Sequence, residues 1–164
     1  RQMCIRDSFS TTLRNNLTFY QPDATEEEIA HALELVGLTS LVTELPKGLD
    51  TVVGEGGRSL SGGQSQRVAL ARAVLHRTCR VLVFDEPTAH LDIETEWELK
   101  QRMLPLMEGK LVFFATHRLH WLSEMDEILL LEDGQVRDFG SYEALSKASS
   151  FAYLSSHEKE GGDV

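Results

Sequence analysis

Leu60-Ser61-Gly62-Gly63-Gln64 and, further along, Val81-Leu82-Val83-Phe84-Asp85-Glu86-Pro87-Thr88 decide how this chain is read. The first stretch opens a helix. Ser61 with Gln64 three residues on, ahead of an apolar-periodic run through Val68, Ala71 and Leu75, has the form of a capping box and predicts a helix over 61–77. In that plain reading Ser61 and Gln64 only close the helix end. Gly62 and Gly63 add a second possibility, because bare backbone N–H groups at a helix N-terminus attract anions such as phosphate. A string this rich in glycine arises by chance in a chain of this size with a probability on the order of 10⁻⁴ at average residue usage. The second stretch reads as a buried apolar strand over 80–84. It delivers two carboxylates, Asp85 and Glu86, to the carboxyl end of a strand, where open α/β sheets do their ligand chemistry. A lone Asp-Glu pair is commonly a solvated acidic turn. Its place between a run of apolar residues and Pro87-Thr88 weakens that reading.

Outward from these stretches, helices and strands alternate. Residues 9–20 read as a loop or short helix, closed by the turn-like Gln21-Pro22-Asp23. Thr25 and Glu28 predict a second capping box, with Ile29, Leu33 and Val36 on one face until Gly37 stops the helix. A short helix is expected over 40–45 and glycine-rich irregular structure over 46–57. Beyond Glu86, Asp92 is a natural N-cap for a helix over 93–107. A buried strand at 111–115, a short helix over 119–123 and strands at 127–131 and 135–139 follow. The last two flank Asp133-Gly134, a strong hairpin turn pair. A helix over 142–147 leads to a polar tail at 157–164. The pattern predicts an α/β fold with an open sheet.

The 164 residues, 41% of them hydrophobic, suit one globular domain with a real core. A formal net charge of -10, from 26 acidic and 16 basic residues without a Lys/Arg run, argues against nucleic acid as a partner. Cys4 and Cys79 make no disulfide framework. The longest apolar stretches, 111–115 and 128–131, are far short of the roughly 18 residues of a membrane helix. His76-x-x-Cys79 and His117-x-x-His120 lack a complete zinc ligand set. Gly57 to Gly62 has the spacing of a G-x-x-x-x-G-K-[ST] phosphate loop, but Gly63-Gln64 stands where Lys and Ser/Thr are required. Arg1-Gln2-Met3-Cys4-Ile5-Arg6-Asp7-Ser8 matches, codon by codon, a transposase adapter of sequencing libraries (CGT CAG ATG TGT ATA AGA GAC AG). Residues 1–8 are therefore expected to be artefact.

The two opening stretches together resemble the signature and Walker B motifs of the nucleotide-binding domain of ABC transporters. The resemblance implies a partial P-loop NTPase (RecA-like) open sheet with the ABC helical subdomain, its phosphate-loop half missing. Residues 9–79 correspond to the segment after the Q-loop and the helical subdomain, residues 80–148 to the Walker B, D-loop and H-loop part of the core, and 149–164 to a tail. The implied cofactors are ATP and Mg2+. Leu60, Ser61, Gly62, Gly63 and Gln64 would serve ATP in trans, because two such domains dimerise head to tail. Asp85 would support Mg2+, with no other metal, and Glu86 would polarise the attacking water. Asp92 would lie at the dimer interface, and His117 would be the switch histidine that contacts the γ-phosphate.

Thr51-Val52-Val53-Gly54-Glu55-Gly56 and Leu13-Arg14-Asn15-Asn16-Leu17 resemble segments of the exporter branch. There Thr51, Gly54 and Glu55 would contact the transmembrane domain of the same full-length chain. Segments 54–59, 88–92 and 113–121 resemble the bacterial thiol-reductant exporters, heterodimers that move cysteine or glutathione outward for cytochrome bd assembly. The ending at 150–154 resembles their D-type subunit. This implies a C-terminal fragment of an ATPase subunit at the cytoplasmic face of the bacterial inner membrane, paired with a second ABC ATPase subunit and inactive by itself. The alternatives are a soluble ABC ATPase of translation or DNA repair, or a truncated interaction module.

Overall fold

The computed structural model describes residues 9–54 and 56–147, which divide into two compact units between Ala115 and Thr116. Residues 1–8, the tail from 148 and Glu55 lie outside the described residues.

The first unit begins with strand β1 (Thr11–Thr12) and helix α1 (Leu13–Leu17), then α2 (Glu26–Leu35) and α3 (Thr39–Glu44). The expected Thr25–Glu28 capping box is formed in full, and three glutamates occupy the first turn of α2, where the helix dipole favours them. The stretch 46–57 departs from the irregular structure expected of it. After a 3-10 turn (Gly48–Asp50) it contains β2 (Val52–Val53), which pairs antiparallel with β1, Thr11 opposite Val53 and Thr12 opposite Val52. Two-residue strands carry no periodicity, so nothing local announces them.

Helix α4 (Gly62–Leu75) is the hub of this unit, and α1 and α2 pack on it. Val68, Ala71 and Leu75 are buried as their spacing requires. A buried polar joint fixes the α1 contact. Arg72 donates from Nε to the Asn16 carbonyl at 2.8 Å and stands over the Phe9 ring at 5.5 Å. Asn16, itself buried, donates to the Phe9 carbonyl at 2.9 Å and to the Thr12 carbonyl at 3.1 Å.

Strands β3 (Val81–Asp85) and β4 (Leu111–Ala115) form a parallel pair joined by α5 (Ile93–Met107), the right order for an open α/β sheet. Full burial of both strands was the expectation, and it requires correction. Leu82 and Phe84 are buried, whereas Val81, Val83, Leu111 and Phe113 are 46%, 42%, 57% and 56% exposed. Continuous apolar runs are the mark of parallel strands covered on both faces. Among the described residues only one face is covered.

The second unit holds a 3-10 segment (Leu119–Glu124) where a short helix was expected, then the hairpin β5 (Ile128–Glu132) and β6 (Gln135–Gly140) and the single turn α6 (Tyr142–Leu145). Asp133 and Gly134 have φ of 51° and 74°, the doubly positive geometry of a type I′ turn. Among the described residues no helix is long and apolar enough to cross a membrane.

Candidate functional site

Ser61 is the N-cap of α4. Its hydroxyl accepts the Gln64 N–H at 3.1 Å, and the Gln64 Oε1 accepts the Ser61 N–H at 2.9 Å, so the capping box is closed in both directions. Ser61 and Gly62 are exposed, and Leu60 is half-buried beside them. The helix end therefore presents backbone donors at the surface with no side chain on the next two residues. That end is pressed against the turn 86–92. A β-carbon on Gly63 would lie 3.2 Å from the His90 carbonyl oxygen, and one on Gly62 would lie 3.4 Å from the His90 ring. The first approach is tighter than a β-carbon normally makes to backbone, so Gly63 favours the close seating of the helix, whereas the second is an ordinary contact distance.

The turn itself begins where β3 ends. Asp85 is exposed at the last strand position, paired with Ala115 of β4, and Glu86 is half-buried. Glu86 has φ of 46°, in the left-handed region that residues with a β-carbon seldom occupy. Its N–H donates to the Ala115 carbonyl at 2.9 Å, and its own carbonyl accepts from Ala89 at 3.3 Å and from the Gln66 side-chain amide. Thr88 and Glu96 are buried and joined by a hydrogen bond from the Thr88 hydroxyl to Glu96 Oε1.

Asp92 caps α5, accepting from the Thr95 N–H at 2.9 Å and the Thr95 hydroxyl at 2.7 Å. The backbone N–H of Thr95, helped by its hydroxyl, holds the Asp92 carboxyl below the usual carboxylate range. The cap function anticipated for Asp92 is thus met, and the residue remains exposed.

Thr51 and Gly54 lie on either side of β2. The Thr51 carbonyl accepts from Leu13, its hydroxyl accepts the Lys47 N–H at 3.1 Å, and Gly54 donates to the Arg58 carbonyl at 3.2 Å. Pairing of β1 with β2 thereby brings together segments 11–17 and 51–54, which are distant in sequence. His117 belongs to the second unit, exposed between Thr116, whose hydroxyl accepts from Arg118 at 3.0 Å, and the 3-10 segment. One unit therefore gathers Leu60 to Gln64, Asp85, Glu86 and Asp92 around a single helix end and a single turn, and His117 stands in the other unit.

The family model described as "ABC transporter" matches residues 2–89. The chain belongs to the ABC transporter family. Its likeness to the Glutathione/L-cysteine transport system ATP-binding/permease protein CydC of Bacillus subtilis (strain 168) is 57% identity over 137 residues, 84% of this chain and 24% of that protein. The Cyclolysin secretion/processing ATP-binding protein CyaB of Bordetella pertussis (strain Tohama I) is 39% identical over 140 residues, 85% of this chain and 20% of that protein. Among solved structures, a bacterial Atm1-family ABC exporter with ATP bound superposes with a TM-score of 0.78 at 32% identity, over 92% of this chain and 26% of that one. The ABC chain described here spans about a quarter of the length of the relatives it matches. The α/β open-sheet fold is that of an ABC exporter nucleotide-binding domain. The glutathione/L-cysteine transport relative carries the C-type name, where the ending at 150–154 resembles the D-type subunit. That ending lies outside the described residues.

Sequence reasoning passes over Gln66, Thr88 and Glu96 as participants. Each is polar and buried next to the turn 86–92, and a buried polar side chain is the signal that only the fold makes visible.

Proposed function

We propose that this chain is the signature-to-switch part of the ATP-binding subunit of an ABC exporter, and that the whole protein exports cysteine or glutathione. The observation that carries the ATPase reading is the packing of the glycine-opened α4 N-terminus against the turn bearing Asp85, Glu86 and Asp92. The residues present fit ATP and Mg2+. The exposed helix end with paired glycines offers uncluttered N–H donors to a phosphate, and Asp85 offers an exposed carboxylate at a strand end. Leu60, Ser61, Gly62, Gly63 and Gln64 would hold the γ-phosphate of ATP carried by a second ABC ATPase subunit, and Asp85 would hold Mg2+ through its carboxylate. Bound Mg2+ supplies positive charge against the phosphates.

Glu86 accepts the proton of the attacking water, and His117 donates toward the phosphate. Asp92 lines the interface with the second subunit. Thr51, Gly54 and Glu55 meet the transmembrane domain, which sets the ATPase at the cytoplasmic face of the membrane. The exposed face of Val81, Val83, Leu111 and Phe113 supports the view that further sheet or helix covers this core in the whole protein. The identity of 57% with a glutathione/L-cysteine transport protein, against 39% with a cyclolysin secretion protein, supports a thiol as cargo.

The deciding experiment uses the full-length subunit with its partner. Glu86→Gln should lower ATP turnover by about 10² to 10⁴, the usual contribution of a general base, while nucleotide is still bound. Turnover within about twofold of the unaltered protein would refute the role of Glu86. Inverted vesicles should take up labelled cysteine or glutathione only with ATP. ATP-dependent uptake of neither would refute the cargo. The isolated chain, which has no phosphate-loop lysine, should show no ATP hydrolysis.

A further inference from the structure

Gln66 is not among the residues assigned to ATP, Mg2+ or the subunit interface, yet two functional segments meet on its side chain. It is 6% exposed, and a buried primary amide has to find partners for its N–H donors and its carbonyl oxygen inside the protein. Gln66 places one N–H and its oxygen on one short turn. Its Nε2 donates to the Glu86 carbonyl, and its Oε1 accepts the His90 N–H at 3.4 Å, so the amide brackets residues 86–90. Gln66 follows Gly62 by four positions and Gly63 by three, which puts all three on one face of α4. That face is the one pressed against His90.

The turn requires such a bracket. Glu86 sits at φ of 46°, and a residue with a β-carbon stays in the left-handed region only where its surroundings over-determine it. Bonds from β4 and from within the turn contribute, through the Glu86 N–H on Ala115 at 2.9 Å and the Leu91 N–H on Thr88 at 3.1 Å. The bond from Gln66 differs in origin, since it comes from the helix whose N-terminus carries Ser61, Gly62 and Gly63.

We propose that Gln66 is a positioning residue that holds the backbone of Glu86 in its left-handed conformation, so that the aim of the Glu86 carboxylate depends on how the signature helix is seated. The proposal rests on the reading of Glu86 as the proton acceptor. It gives a physical link within one subunit between the helix end that serves the opposing nucleotide and the carboxylate that serves its own. A displacement of about 1 Å in a reacting group can cost on the order of 10²-fold in rate, so loss of the bracket should act on turnover rather than on ATP affinity.

The test is steady-state ATP hydrolysis by the full-length subunit assembled with its partner. Gln66→Ala removes the amide. Gln66→Glu keeps its shape and its acceptor toward His90 but turns an oxygen toward the Glu86 carbonyl, and it serves if the alanine variant does not assemble. Either change should lower kcat by about 10- to 100-fold and leave KM for ATP within about twofold. Combined with Glu86→Gln, neither should lower kcat below that of Glu86→Gln alone, because Gln66 acts through Glu86. A kcat within about twofold of the unaltered protein, or a loss that multiplies with that of Glu86→Gln, overturns the proposal. Unimpaired turnover in Glu86→Gln alone overturns the reading of Glu86 itself, and the two failures are distinguishable for that reason.

Discussion

Replacing Thr88 by valine takes one hydroxyl from beneath the turn 86–92 and changes little else. Thr88 and Glu96 are both fully buried, and the Thr88 hydroxyl donates to Glu96 Oε1. Valine keeps the shape and β-branching of threonine, so the cost falls on the hydrogen bond and not on a cavity. A hydrogen bond to a carboxylate contributes roughly 1.5–3 kcal/mol. The buried methyl that replaces the hydroxyl returns about 0.8 kcal/mol, which leaves a net loss of about 1–2 kcal/mol. With a urea dependence of roughly 1.5 kcal/mol per molar, the unfolding midpoint should fall by about 1 M. Urea unfolding of the chain followed by far-UV circular dichroism measures this directly. A cycle with Glu96→Gln should show a coupling of at least about 0.5 kcal/mol between the two positions. A midpoint shift below about 0.3 M, or no coupling, would refute the view that this buried pair anchors the turn.

Other positions offer sharper local tests. Gly57→Ala would put a β-carbon 2.5 Å from the Val52 carbonyl oxygen, which accepts from Arg58 at 2.9 Å. Destabilisation of roughly 1–3 kcal/mol and faster amide exchange at Arg58 are expected, and unchanged exchange there would count against the close approach. The Asp92 carboxyl is held below its ordinary range by Thr95, so its cap on α5 is complete above the unfolded aspartate pKa of about 3.9 and is lost as pH falls through the lower folded value. Asp92→Asn caps without titrating, so the acid loss of helical dichroism should be smaller in that variant, and identical acid profiles would exclude the cap as its source. Gly134→Ala meets no atom within 4 Å at a φ of +74°, so it should cost only the left-handed conformation, about 1 kcal/mol, read as a lower thermal midpoint. Asp133→Asn keeps the preferred turn pair and should leave that midpoint nearly unchanged.

What the chain made legible in advance is what closes over a few residues. The boxes at Thr25–Glu28 and Ser61–Gln64, the cap at Asp92 and the turn at Asp133-Gly134 each complete their hydrogen bonds or their backbone geometry within one turn, and each stands in the structure as its local chemistry requires. Long-range polar contacts leave no such mark. Arg72 and Asn16 are 56 positions apart and Gln66 and Glu86 are 20 apart, and Arg72, Asn16 and Gln66 each read locally as an ordinary polar residue on or near a helix. The strands show a related failure. Val-Leu-Val-Phe at 81–84 and Leu-Val-Phe-Phe at 111–114 lack alternation, so their composition speaks of burial on two faces while the described residues cover one.

A usable signal follows from the geometry of α4. Glycines at the start of a helix allow another segment to come close, and they do so on one face. A polar residue three or four positions further along can meet the same segment, and where it is buried there it has to find its hydrogen bonds within the protein. Gly62, Gly63 and Gln66 obey this rule against the turn 86–92. Ser65 and Arg67 stand at the same spacings from these glycines, and Arg67 donates to the Gly37 carbonyl at 3.0 Å instead, so the spacing narrows the candidates and burial in the fold selects Gln66.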